Sequence, residues 1–209
     1  MDDKNTKDLI RQSMERLDSM FDPAKLKQHL MLYALYILSY EQLKGRIVNM
    51  ARSQYYEVGG SKMVFNTQKY EEEVLSLDQS KTEIRASISW LRKLDGLTDV
   101  DIDLLKTVKK TRDKIAHEMY SFFTLDLFEQ VANDLMKLLD LYKRLDVWYV
   151  KFFESDHYSE EFRKNADLDE AMSVNLTLLH IMRSMAFDDD EKSQEMYDVF
   201  KQVARQRNL

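Results

Sequence analysis

Glycine and proline are scarce in this sequence, and their scarcity restricts the fold more than any other feature. The chain has 209 residues, of which only four are glycine and one is proline. Sheet-rich folds need frequent turns, and turns depend heavily on these two residues. Long helices joined by short connections need far fewer of them. We therefore predict an all-α protein, a helical bundle of about five to seven helices.

Helix start signals precede several apolar repeats. Asp22 and Pro23 suit the cap and the first position of a long helix, which we expect to end near Tyr56 before a loop at Gly59–Gly60. A small polar or acidic residue three positions before an acidic one, a spacing typical of helix N-termini, precedes four further predicted helices: Ser80–Glu83, Thr98–Asp101, Asp167–Glu170 and Asp188–Glu191. Helices are also expected over 1–20 and from Leu125 to about Phe153.

Composition predicts a protein with a sizeable core and no membrane partner. Hydrophobic residues make up 44% of the chain, and we expect a helical domain over 1–155 with a C-terminal helical extension over 156–209 packed on it. The apolar run Leu30–Leu38 is far shorter than the roughly 20 residues of a spanning helix, so burial or a partner-facing role is expected for it. The first residues lack an apolar signal core, so we expect a cytoplasmic protein, and the absence of cysteine fits that compartment without selecting it.

Metal and cofactor chemistry has little support in the sequence. Without cysteine, a cysteine-ligated metal site is excluded. The four histidines form neither an HExxH nor a Glu-x-x-His pattern, and there is no glycine-rich phosphate loop. We therefore expect no metal and no cofactor. Three of the histidines are expected to be structural: His29, His157 and His180.

The fourth histidine, His117, follows Arg112 with four residues between them. Four lysines surround the pair in an otherwise acidic chain of net charge −6: Lys106, Lys109, Lys110 and Lys114. An acidic chain repels nucleic acid at long range, so a local cluster of cations is where a phosphate is expected to bind. These lysines either hold RNA phosphates or form a solvated face.

Arginine and histidine together can cleave RNA without a metal. The guanidinium fits phosphate oxygens, and the imidazole exchanges protons near neutral pH. Five helical positions rotate the chain about 140° beyond a full turn, so Arg112 and His117 of one ideal helix point in different directions. Two copies related by a two-fold axis, or a distorted helix, would be needed to bring both groups to one phosphate.

The stretch Arg112-Asp113-Lys114-Ile115-Ala116-His117 resembles the R-x(4–6)-H signature of HEPN domains, including the polar residue directly after the arginine. The order of helices over about residues 23–155 is also similar. HEPN proteins include ribonuclease toxins of toxin–antitoxin and abortive-infection defence systems. The resemblance implies a helical, usually dimeric protein that cleaves RNA without metal, with Arg112 and His117 as catalytic residues.

The resemblance leaves three further assignments open. Asp113 either orients one of the two catalytic residues or is simply a solvated charge. Tyr120 is a candidate RNA contact, with packing as the alternative. In one toxin branch a tyrosine follows the histidine at the second position, whereas Tyr120 is the third residue after His117.

Two functions from different classes follow. The first is a metal-independent endoribonuclease of HEPN type that acts as a homodimer, with RNA as substrate and an antitoxin or regulatory protein as a candidate partner. The second is a catalytically silent helical dimer that regulates or binds another protein. The acidic balance and the unassigned residues 156–209 favour the second function, and the Arg112–His117 motif favours the first.

Overall fold

A computed structural model describes residues 22–60, 62–124, 127–154 and 167–188, together with positions 191, 192, 194, 195 and 198. Within these ranges, the side chains of residues 119–124 are not described. The helix predicted over 1–20 and the predicted domain boundary at 155/156 lie outside the described residues.

Helices dominate the described residues, which confirms the predicted all-α bundle. They form six α-helices and a small two-stranded hairpin. In chain order these elements are α1 (Pro23–Ser53), β1 (Tyr56–Gly59), β2 (Lys62–Phe65), α2 (Thr67–Glu73), α3 (Glu83–Lys93), α4 (Asp99–Thr124), α5 (Phe128–Tyr149) and α6 (Val174–Phe187). Short 3₁₀ turns cover Leu75–Leu77 and Leu168–Glu170, and a π-helical turn, Val150–Glu154, follows α5.

Two helices begin where the sequence predicts. The Asp22 carboxylate accepts hydrogen bonds from the backbone N–H groups of Ala24 at 2.9 Å and Lys25 at 3.0 Å, which caps α1. At the start of α4, the Asp101 carboxylate accepts from the Thr98 N–H at 2.9 Å, and the Thr98 hydroxyl accepts from the Asp101 N–H at 3.3 Å. This reciprocal arrangement is a capping box, as the spacing indicates.

Two other start signals were wrong. Helix α3 begins at Glu83 with Thr82 as its cap residue, because the Ser80 hydroxyl instead bonds to Asp78 within the preceding turn. Asp167 starts only the 3₁₀ turn Leu168–Glu170, where its carboxylate accepts from the Asp169 N–H at 3.0 Å. A local side-chain bond satisfies each polar residue without extending a helix.

The loop predicted at Gly59–Gly60 is the turn of an antiparallel hairpin. Helix α1 ends at Ser53, and β1 pairs with β2 so that Tyr56 lies opposite Phe65 and Gly59 opposite Lys62. Gly60 has a φ of +69°, a conformation that a residue without a side chain adopts readily. The aromatic rings of Phe65 and Tyr70 lie 5.3 Å apart and hold the end of β2 against α2.

The chain divides into two compact units. Unit 1 consists of Met1–Leu38, Lys110–Met136 and Leu178–Leu209, and unit 2 of Ser39–Lys109 and Lys137–Thr177. Unit 1 buries apolar side chains from α1, α4, α5 and α6: Leu32, Tyr33, Leu35, Tyr36, Ile115, Val131, Leu135, Leu179 and Ile181. The largest fully buried apolar side chains of unit 2 include Leu43, Ile47, Met50, Leu91, Leu138, Leu139 and Tyr142.

Aromatic stacking closes the end of α5 in unit 2. The π-helical turn follows where a continuous α-helix to Phe153 was predicted. It places Phe153 on Trp90 with ring centroids 5.7 Å apart, and Phe152 on Trp148 at 5.2 Å. Stacking of this kind favours the altered backbone over another α-helical turn.

Candidate functional site

The three candidate catalytic residues lie on α4 in unit 1. Ile115 is fully buried and directs one face of this part of the helix into the core. His117 is exposed. The side chains of Arg112 and Asp113 are 29% and 35% exposed, so both remain accessible to a ligand from solvent.

Asp113 lies beside both other residues. Its carboxylate oxygen Oδ1 accepts a hydrogen bond from Arg112 Nη1 at 3.0 Å, which forms an ion pair between adjacent residues. It also precedes His117 by four positions, and side chains at this spacing are neighbours on a helix surface. Asp113 can therefore orient the Arg112 guanidinium, and whether it has this role or is simply a solvated charge stays a prediction.

A kink in α4 lies directly after the motif. Glu118 has a φ of −132° and a ψ of 37°, and it is the residue at which the helix breaks. The preceding residues keep helical backbone angles, so the directions of Arg112 and His117 still differ by about 140° around the helix axis. The distortion does not bring the two side chains of one chain together, and a shared phosphate would need a second copy of α4.

Basic side chains lie on the face of α4 that carries His117. Lys110 and Lys114 are exposed, and their spacing to His117 of seven and three residues places all three on one side of the helix. Lys106 and Lys109 are exposed on the same helix, with Lys106 paired to Asp103 at 2.8 Å. All four lysines are therefore exposed on α4, and Asp103 balances the charge of Lys106.

Tyr120 was also a candidate RNA contact. Its backbone belongs to α4, but its side chain lies outside the described residues. Its role stays a prediction.

Behind the motif, unit 1 contains a buried polar group that the sequence did not reveal. Tyr36 of α1 is fully buried. Burial raises the pKa of Tyr36 far above its usual value, with Thr111 and Asp134 as its polar neighbours. Thr111 directly precedes Arg112, and the buried Tyr36 hydroxyl makes no hydrogen bond within the described part of the chain. The only sequence signal was the run Leu30–Leu38, in which Tyr36 reads as one more apolar residue.

The other histidines are placed differently. His29 packs its ring against Phe128, with centroids 4.8 Å apart, and its Nδ1 lies 3.4 Å from the Tyr33 hydroxyl. This agrees with the predicted structural role. His180 is half-buried on α6, and His157 lies outside the described residues.

No group of three or more histidine, aspartate or glutamate residues in the described part of the chain is placed to hold a metal ion. None of the described helices combines the length and the apolar character that crossing a membrane requires.

Comparison of the chain with protein-family models, with curated protein sequences and with solved structures found no match. The resemblance to HEPN domains stays a prediction from the sequence.

Proposed function

We propose that this protein is a metal-independent endoribonuclease of HEPN type that acts as a homodimer in the cytoplasm. The observation that carries the proposal is the placement of His117, exposed on α4 beside Asp113 and on the same helix face as Lys110 and Lys114. Arg112 is the fifth residue of this candidate site, and it forms an ion pair with Asp113 at 3.0 Å. A proton-transfer group, a phosphate-binding fork and flanking cations are what RNA cleavage without a metal needs.

The reaction would proceed in one displacement at phosphorus. His117 of one protomer takes the proton of the ribose 2′-hydroxyl, and the 2′-oxygen forms a bond to the phosphorus. The bond from phosphorus to the 5′-oxygen breaks, and His117 of the second protomer gives that oxygen a proton. The products are a 2′,3′-cyclic phosphate and a free 5′-hydroxyl, so neither oxidant nor added nucleophile is required.

Arg112 and Asp113 would act on charge and position. The pentacoordinate phosphate gathers negative charge on its oxygens, and a planar guanidinium stabilises that charge through paired hydrogen bonds. Asp113 keeps Arg112 oriented before the RNA binds. The lysines would hold phosphates on either side of the cleaved bond, with Tyr120 as a further RNA contact.

The homodimer is required by the geometry of the motif. Within one chain the side chains of Arg112 and His117 point about 140° apart around the axis of α4. The kink at Glu118 lies after both residues, so it does not change this angle. A two-fold axis beside α4 would place Arg112 of one protomer near His117 of the other. The dimer is thus a prediction of the mechanism, and light scattering of the purified protein measures it.

The test is RNA cleavage by the purified protein in excess EDTA. Wild-type protein is expected to cleave single-stranded RNA, and Arg112→Ala and His117→Asn to lose about 100-fold or more in rate. Lys93→Ala, which removes an exposed lysine on α3 in unit 2, serves as a matched control and should cleave like wild type. Cleavage that stops on addition of EDTA would contradict the proposal.

A catalytically silent dimer that binds a regulatory protein is the second candidate. Exposed apolar residues on α6 favour it: Leu178, Met182 and Met185, which are 40%, 45% and 66% exposed and recur at helical spacing. Growth on expression separates the two candidates. A toxin, with or without an antitoxin partner, should slow growth in a way that Arg112→Ala abolishes, whereas a silent module should be harmless in both forms.

A further inference from the structure

A polar cleft in unit 2 lies between α1 and the start of α6. It has a volume of about 240 Å³ and is lined by Gln42, Gly45, Arg46, Asn49, Ser173, Val174 and Asn175. The α1 residues recur at intervals of three and four, so one face of that helix forms a wall. We refer to this space as the Arg46 cleft.

The Arg46 side chain is held rigidly at the wall of the cleft. Its Nε donates to Asp146 Oδ1 at 2.8 Å, and its guanidinium lies 4.9 Å from the centre of the Tyr149 ring. The second Asp146 oxygen accepts from the Ser173 N–H at 2.7 Å, which ties the start of α6 to the same carboxylate. Asp146 itself has a side chain only 2% exposed, so this anchor is buried.

The terminal nitrogens of Arg46 remain available to a ligand. Among the described residues, no hydrogen-bond acceptor is found for its Nη1 and Nη2, although the side chain is 25% exposed. The Asn49 amide, at the mouth of the cleft, likewise makes no hydrogen bond to the described part of the chain. A fixed guanidinium with two unsatisfied terminal groups is suited to bidentate binding of an oxyanion.

The space beside Arg46 is open. A Cβ placed on Gly45 would meet no atom within 4 Å. The Asn175 amide donates to Gln42 Oε1 at 2.9 Å and forms a polar rim. At about 30 Å³ for each water molecule, the cleft has room for about eight, which corresponds to a ligand of similarly few non-hydrogen atoms.

The charge around Arg46 favours a carboxylate over a phosphate as the bound oxyanion. The Asp146 carboxylate, 2.8 Å from Arg46 Nε, offsets much of the guanidinium charge. A doubly charged phosphate costs more to remove from water than a singly charged carboxylate, and so nearly neutral a pair repays little of that extra cost. We propose that the Arg46 cleft binds a small monocarboxylate that also carries a hydroxyl or amide group, with the carboxylate on Arg46 and the second group on Asn49 or Asn175.

The test is nuclear magnetic resonance of the full chain labelled with ¹⁵N, titrated with lactate. We expect a saturable shift of the Arg46 Nε–H signal. Lactamide, which has the same shape without the charge, should produce no such shift, and inorganic phosphate at equal ionic strength should bind more weakly. Lactate and lactamide shifting the signal equally would overturn the proposal, and so would tighter binding of phosphate.

Two variants locate the binding in the cleft. Gly45→Leu should fill the open space and abolish the shift, whereas Gly45→Ala adds one methyl group to the same point and should keep it. Arg46→Lys keeps the positive charge but loses the paired terminal nitrogens of the guanidinium, so the affinity for lactate should fall by about tenfold. Undiminished binding by Gly45→Leu would place the ligand elsewhere and refute the assignment. Because the ribonuclease assay contains no lactate and the motif lies in unit 1, failure of either proposal leaves the other intact.

Discussion

Substitution of Asp146 by alanine is expected to destabilise unit 2 strongly. The Asp146 carboxylate is nearly fully buried and accepts two hydrogen bonds, from Arg46 Nε at 2.8 Å and from the Ser173 N–H at 2.7 Å. Asp146→Ala removes both and leaves a guanidinium and a backbone N–H without their acceptor. Removing one partner of a buried ion pair is costly because the remaining charge is left in a poorly solvated place.

The size of the loss follows from the exposure of the partners. Breaking a buried ion pair costs about 3–5 kcal/mol. Arg46 keeps 25% exposure, so water replaces part of what it loses, and the lower end of that range, about 3 kcal/mol, is expected. With a denaturant dependence of about 2 kcal/mol per molar urea, the unfolding midpoint should fall by roughly 1.5 M.

Urea unfolding followed by tryptophan fluorescence measures the change. Trp90 and Trp148 both lie in unit 2 and report on its core. Asp103→Ala is the matched control, because its pair with Lys106 is mostly exposed and should contribute little. A midpoint for Asp146→Ala within about 0.3 M of the control would refute the assigned role of the buried carboxylate.

Three further outcomes are expected. Gly96→Ala should cost about 1–3 kcal/mol in urea unfolding, because a Cβ there would lie 2.9 Å from the Trp148 ring; an unchanged midpoint would contradict this packing. Burial and the Glu73 carboxylate raise the pKa of Tyr55 from 10.0 to about 12, so the stability contributed by its neutral form is complete below pH 10 and lost as the pH rises towards 12. Equal urea midpoints at pH 9 and pH 11.5 would disprove that linkage. Replacing Lys110 and Lys114 together by alanine should weaken RNA binding and lower its salt dependence by about two counterions, measured by fluorescence anisotropy; an unaltered salt slope would remove both lysines from the interface.

The elements that the sequence predicted are those with local causes. The scarcity of glycine and proline predicts helices because few other folds tolerate it. The caps at Asp22 and at Thr98 with Asp101 bond to backbone groups only two or three residues away, so spacing alone reveals them. The position of Asp113, four residues before His117, follows from helical periodicity in the same way.

The features that sequence reasoning missed depend on distant partners. Arg46 and Asp146 are 100 residues apart in the chain, and nothing in the spacing of either residue indicates their pair. The burial of the Tyr36 side chain likewise arises only when the helices pack. The hairpin was predicted as a loop because its strands have only four residues each, too few for an alternating pattern to stand out beside Gly59 and Gly60.

The kink at Glu118 has no signal in the sequence, either local or distant. Helix kinks are usually found at proline or glycine, and neither residue is present there. Ser80 and Asp167 show the reverse case, in which the sequence has a helix-start signal that no α-helix follows directly. Each side chain instead makes a hydrogen bond within a local turn. A polar residue before an acidic one thus indicates a helix start only where its side chain does not bond within a local turn instead.

The identity of the RNA ends tests the central claim most directly. If His117 and Arg112 cleave RNA without a metal, wild-type protein in EDTA should leave a 2′,3′-cyclic phosphate on one fragment and a 5′-hydroxyl on the other, and His117→Asn should leave neither. Fragments that carry a 3′-hydroxyl and a 5′-phosphate, or the same cyclic ends in equal amount from His117→Asn, would contradict the account.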